Sequence, residues 1–203
     1  MSDRRDRILA AALRVIAAHG VDAATHRAVA AEAGVPLAST TYHFSSKAEL
    51  VRDALERAVE RSVAAVEHAS APPYDSGTAP LVERLLDLVA LLEAEDQAPL
   101  AAQFELMLEA GRRPHLRPLA EHWSEAYTAG IERLAAGAGM PDPALAATTI
   151  SDLIDGALLN QLSLPGDDFV RDRLRPALER TVAGLAAQSD AEKVSQAAGL
   201  PLR

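Results

Sequence analysis

The 203-residue chain contains no cysteine. That excludes a disulfide framework and any thiolate metal site, and it fits a reducing cytoplasm. Lysine is nearly absent as well, with only Lys47 and Lys193. Aromatic residues make up 3% of the chain, and no run of alternating β-branched and aromatic residues is bounded by turns, so strands are not expected. No apolar stretch approaches the length needed to cross a bilayer. The charged start, Met1 to Arg7, is not followed by a short apolar run with a cleavage site, so no signal peptide is expected. A soluble, cytoplasmic protein follows, with no membrane partner.

Signatures of catalysis are missing too. There is no Ser-His-Asp arrangement with a recognisable elbow and no glycine-rich phosphate loop. Asp152 and Asp155 share a helical face, but carboxylates three apart are usually a solvated edge. His115 and His122 are close in helical phase, without a surrounding metal motif. The sequence therefore reads as a non-enzyme with no cofactor and no metal.

What is present is helix. Half the residues, 49%, are apolar and 24% are charged, an ordinary globular balance. Apolar positions recur at helical spacing nearly everywhere, and alanine is abundant. The pattern predicts nine helices, at about 4–19, 25–34, 37–43, 47–68, 81–95, 99–111, 116–136, 143–162 and 168–188. Residues 70–80 hold three prolines and a glycine and read as a linker. The expected organisation is all-α: a three-helix helix-turn-helix head (1–46), a connecting fourth helix (47–69), the linker (70–80), a helical-bundle body (81–188) and a loose tail (189–203).

Charge is distributed unevenly along this plan. Residues 1–60 carry eight basic and eight acidic groups, and the remainder twelve against twenty-one, so the whole formal charge of −9 lies beyond residue 60. An acidic body is repelled by phosphates, whereas a neutral head can still present a basic face.

Residues 25–44, THRAVAAEAGVPLASTTYHF, carry the functional signal. A helix-turn-helix needs two short helices joined by a tight turn, the second exposed for the major groove. Val29, Ala30 and Ala33 give the first helix a small apolar face. Gly34 sits where the chain must turn, Val35 plugs the core, Pro36 fits the first turn of the next helix, and Phe44 closes the core.

From the first helix through Gly20, Thr25, residues 30–35, Ser39, Tyr42-His43-Phe44, Ser46-Lys47 and Leu50, the chain resembles the TetR family of bacterial regulators. The match covers roughly the first quarter of the chain. The resemblance implies a double-stranded DNA partner read at a palindromic operator by a homodimer. It implies that Thr25, His26 and Arg27 face the backbone and nearest bases. Leu37, Ala38 and Ser39 would enter the major groove; Thr41, Tyr42 and His43 would contact phosphates or base edges; Lys47 would clamp a phosphate at the positive end of its helix. Each residue has a plainer alternative: Tyr42 packed on the first helix, solvated histidines, an ordinary helix-start lysine. Arg4 and Arg5 are either a flexible charged end or an arm reaching the backbone.

Two departures from the family pattern matter. Position 37 is leucine where many members have a basic or amide side chain, and Thr40 replaces an apolar residue. No Arg, Lys, Asn or Gln lies between Leu37 and His43, so bidentate base reading is largely closed to this helix. Arg27 is then the strongest candidate for a guanine contact, with shape and water supplying the rest.

In the body the resemblance places dimer contacts on the last two long helices, where Leu145, Leu153, Ala157, Leu158, Leu174, Leu178, Val182 and Leu185 are the candidates. It also implies a small apolar or amphipathic effector that releases a repressor from DNA. Gln103, Phe104, Met107, Leu108, His122, Trp123, Tyr127 and Asp155 are candidate pocket residues, although a Met or aromatic stripe at helical spacing is also ordinary core. The competing reading is a helical protein–protein adaptor whose helix-turn-helix does not bind DNA unaided.

Overall fold

The computed structural model describes the backbone of residues 2–93 and 97–197, and the side chains of 4–93 and 97–187. Among the described residues there are nine α-helices and no strand: α1 (Ser2–His19), α2 (His26–Ala33), α3 (Leu37–His43), α4 (Lys47–Ala69), α5 (Thr78–Leu92), α6 (Ala98–Arg112), α7 (Arg117–Gly137), α8 (Pro143–Ser163) and α9 (Arg175–Ala197). They form two compact units. One takes in the chain up to residue 64 with 92–124; the other takes in 65–91 and everything from 125.

The first unit is organised around α1. Ile8, Leu9, Ala12, Leu13 and Ile16 are buried along it, and α2 and α6 both pack against it. Phe44, Leu50, Ala54 and Leu55 continue this core into α4. Helix α4 opens on a reciprocal cap. Ser46 Oγ accepts from the amide of Glu49 at 3.2 Å, and the Glu49 carboxylate accepts from the amide of Ser45 at 2.7 Å.

In the second unit Leu81, Leu85, Leu88 and Val89 of α5, Ile131 and Leu134 of α7, Ile150 and Ile154 of α8, and Leu174, Leu178 and Val182 form the interior. The segment 70–80 is pinned here by side chains. The Tyr74 hydroxyl donates to the carbonyl of Ser70 at 2.9 Å, Arg133 donates to Ser70 Oγ at 2.8 Å, and Arg84 donates to the carbonyl of Ala69 at 2.7 Å. The Tyr74 ring lies so close to Gly137 that a Cβ there would sit 2.3 Å from its Cγ, a position that only glycine leaves free.

The boundaries differ from the sequence pattern at three points. Helix α5 starts at Thr78, inside the expected linker. The last helix does not start at Asp168; a π-helical turn, Val170–Leu174, precedes α9. Pro176 has no N–H for the carbonyl four residues back, which interrupts the regular ladder at that point. Helix α9 then runs to Ala197, beyond the expected stop at Gln188. No glycine or proline lies between Leu185 and Ala198 to end it. Residues 198–203 of the expected loose tail lie outside the described residues.

Candidate nucleic-acid interface

Helices α2 and α3 are joined by a turn that the sequence dictates. Gly34 adopts φ 62° and ψ 37°, the left-handed region, and its amide reaches back to carbonyls at the end of α2. Pro36 occupies the cap of α3 with φ −58° and ψ 144°, one place before the first helical turn expected for it. Thr25 caps α2: its Oγ1 accepts from the amide of Ala28 at 3.2 Å. A hydroxyl that accepts here still has its own proton to donate outward.

The outer face of α3 is open. Tyr42 is 76% exposed and Leu37 45%, and Ala38 and Thr41 are exposed beside them. Tyr42 therefore does not pack on α1. Its ring meets that of half-buried His43 edge-on, with centroids 5.2 Å apart. Ser39 is half-buried. Thr40, the polar residue in an apolar position, is fully buried and its hydroxyl donates to the carbonyl of Leu37 at 2.8 Å. Thr41 Oγ1 lies 3.3 Å from the carbonyl of Ala38.

In α2, Arg27 is exposed, while His26 is half-buried with Nδ1 enclosed and without a partner among the described residues. Lys47, at the start of α4, is engaged internally. Its ammonium donates to the backbone carbonyl of Asp22 at 2.7 Å and stands 3.5 Å from the Asp22 carboxylate. The same carboxylate accepts from Arg113, just past α6, at 2.8 Å. That hydrogen bond is the main reason the Asp22 carboxyl titrates below its ordinary value. Arg113 also pairs with the carboxylate of Glu109, a buried residue of α6.

Sequence reasoning missed Arg7 and left Arg4 undecided. The structure brings both beside α3: with Pro36, Ala38, Ser39, Tyr42 and His43 they line an open concavity of about 710 Å³. Arg5 turns elsewhere, to Asp53 at 2.7 Å and over the Phe44 ring. Only the three-residue spacing of Arg4 and Arg7, which puts them on one helical face, hinted at this.

A helix-turn-helix with a polar, open second helix and a capping threonine at its entrance is matched by comparison with known proteins. Residues 8–54 match the family described as bacterial regulatory proteins, tetR family, and residues 76–185 match the tetracyclin repressor-like C-terminal domain. The chain belongs to the TetR family. It is thus a DNA-binding transcriptional regulator. It is 29% identical over 175 residues, 84% of this chain and 89% of the other, to the HTH-type nicotine-responsive transcriptional repressor HdnoR of Paenarthrobacter nicotinovorans. It is 34% identical to a TetR-family member from Streptomyces coelicolor A3, covering 90% of this chain and 98% of that one, with a TM-score of 0.65. The multidrug binding protein EbrR, solved with ethidium, is 33% identical over 90% of this chain and 98% of its own, with a TM-score of 0.61.

The residues expected at an effector pocket and a dimer seam of this TetR-family chain fall as follows. In the first unit Gln103 is buried with Oε1 unpartnered among the described residues, Trp123 is buried, Phe104 is half-buried, and Met107, Leu108 and His122 are exposed. Of these, Met107 borders an open groove of about 310 Å³ with Ala110, Gly111, Arg117, Ala120, Glu121 and Ser124. In the second unit Tyr127 is buried, and Asp155 is half-buried. Burial, with the charge of Asp152 added, pushes the Asp155 carboxyl up to about 6.

The residues expected at the dimer contact differ in burial. Leu158, Leu174, Leu178 and Val182 are already enclosed in the interior of the single chain, and Ala157 is nearly so. A side chain with no surface left has nothing to offer a partner. Leu145 is half-exposed, and Leu153 and Leu185 are partly open. Gly156 and Leu159 of α8 and Ala183, Gly184 and Ala187 of α9, which the leucine pattern did not single out, are exposed.

Proposed function

We propose that the chain is a homodimeric repressor that reads a palindromic operator and is released by an organic cation. The observation that carries the DNA reading is the open face of α3. Its recognition residues Leu37, Ala38, Ser39, Thr41, Tyr42 and His43 would meet the major groove and its edge, with Thr25, His26 and Arg27 on the flanking backbone and bases. Leu37 and Ala38 suit thymine methyl groups, and Arg27 suits guanine. Lys47 would exchange Asp22 for a phosphate.

The homodimer reading is supported by two glycines. Gly156 and Gly184 lie within α8 and α9, where glycine costs roughly 1 kcal/mol relative to alanine, and a Cβ added at either would have nothing within 4 Å among the described residues beyond its own helix backbone. No contact among the described residues accounts for them; the close approach of a second copy would. Leu145 and Leu159, about half exposed, then supply apolar area at the same seam.

Two things support a cationic effector. The body is acidic, and Asp155 is a half-buried carboxylate beside a buried tyrosine, a place where a cation would offset the cost of its desolvated charge. The relatives named above are described as nicotine-responsive and as binding ethidium. Gln103, Phe104, Met107, Leu108, His122 and Trp123, which lie in the first unit, are candidates for effector contacts considered on their own. Release would follow if effector binding drew Arg113 away from Asp22, leaving that carboxylate to hold Lys47.

The test is a preformed complex with a selected duplex, titrated with tetraphenylphosphonium, an apolar cation that does not intercalate. Release that is weakened in Asp155→Asn is the expected result. An undisturbed complex at saturating cation contradicts the effector reading.

A further inference from the structure

A recognition helix without lysine or arginine leaves open where the head finds its affinity for a polyanion. The answer lies in which cations are already occupied. Arg14 is held by Glu32 at 2.6 Å, Arg52 by Asp53 at 2.8 Å and Arg57 by Asp6 at 2.6 Å. Arg5 is held by Asp53, and Lys47 by Asp22. Each of these positive charges has a partner inside the protein, and of them Lys47 is the one proposed to exchange it for a phosphate. Arg4, Arg7 and Arg27 have no carboxylate partner among the described residues, and all three are exposed.

Arg4 and Arg7 lie three residues apart, so they share one face of α1 with their Cβ atoms roughly 5–6 Å apart. They form one wall of the 710 Å³ concavity, whose opposite wall is α3 with Ala38, Ser39, Tyr42 and His43. Cations near a helix N-terminus oppose its dipole, so these positions are not explained by helix stability. The walls offer hydroxyl and imidazole groups on one side and two planar, always-charged forks on the other. Such forks match phosphate oxygens two at a time.

We propose that this concavity is a phosphate seat. It takes the sugar–phosphate backbone of the strand bordering the groove that α3 enters, with Arg4 and Arg7 pairing its phosphates. The inference rests on the DNA reading and deepens it. Affinity then comes from α1 together with Lys47, and base choice from α3 and Arg27, on separate residues. The seat supplies the charge that the sequence of α3 lacks.

The experiment uses the full chain and the duplex selected by the wild type. Binding is measured between 50 and 200 mM salt for wild type, the double variant Arg4→Gln/Arg7→Gln and the conservative Arg4→Lys/Arg7→Lys. Each phosphate contact contributes about 0.9 to the slope of log K against log salt. The glutamine variant should lose about two from that slope for each head, with the preferred base sequence unchanged, and the lysine variant should retain most of it. An unchanged slope in the glutamine variant overturns the seat while leaving DNA binding intact. A changed base preference also overturns it, since it makes these arginines base readers. If the wild type binds no duplex at any salt, the DNA reading itself fails and the seat fails with it.

Discussion

Asp155 shows how one side chain ties stability to proton concentration. Its folded-state carboxyl titrates at about 6, against 3.8 for the unperturbed group. Between those values the folded protein binds a proton that the unfolded chain has released, so this residue's contribution to stability falls as pH rises from about 4 to about 6. Above that window the charged, desolvated carboxylate is a standing cost. Asp155→Asn should therefore melt higher than wild type near pH 7.5, with the difference shrinking to nothing by about pH 4. Paired melting curves of the two proteins check this, and a difference independent of pH contradicts it. Comparing the two is necessary because Asp22, Glu49 and Glu83 have lowered values and respond in the opposite sense. Thr40 illustrates what sequence conveys at this scale. The residue was legible as a departure from an apolar pattern, but its tolerance depends on the hydroxyl finding the Leu37 carbonyl, a local bond that a helix offers its own threonines.

At the scale of elements, three pieces of chain meet at Asp22: the turn after α1, the start of α4 and the end of α6. Because Arg113 neutralises Asp22, it leaves Lys47 freer to accept a phosphate. Arg113→Ala should weaken duplex binding several-fold, and Asp22→Asn should restore it. The signature is non-additivity: the gain from Asp22→Asn should be larger in the Arg113→Ala background than in wild type. Additive effects would reduce the cluster to general electrostatics. The helices themselves were largely legible, since apolar spacing, Gly20, Gly34 and the Thr25 cap all act locally. The π-helical turn before α9 follows from Pro176, a feature also local but overlooked beside the strong apolar repeat that spans it. The Asp22 cluster was not legible, because Arg113 lies 91 residues from its partner in the chain. Nor were the free arginines of α1. Which cations remain unpaired depends on Asp53 and Asp6 reaching partners 48 and 51 residues away.

For the whole molecule, residues 25–44 carried the DNA-binding function, whereas the compact units do not follow the expected head and body: 92–124, expected in the body, groups with the chain up to residue 64. Leucine periodicity marks burial without saying in whose core. Leu174, Leu178 and Val182 serve their own chain, whereas the open faces of α8 and α9 are built from Gly156, Gly184 and small neighbours that give no hydrophobic signal. Two heads related by a two-fold axis would read half-sites about 34–36 Å, or a multiple of it, apart. Selection of bound duplexes from a random pool by the purified protein, sequenced over several rounds, tests this account most directly. A palindrome with that half-site spacing is the predicted outcome. Failure of any sequence to enrich, even at low salt, would contradict it and favour the adaptor reading of the head.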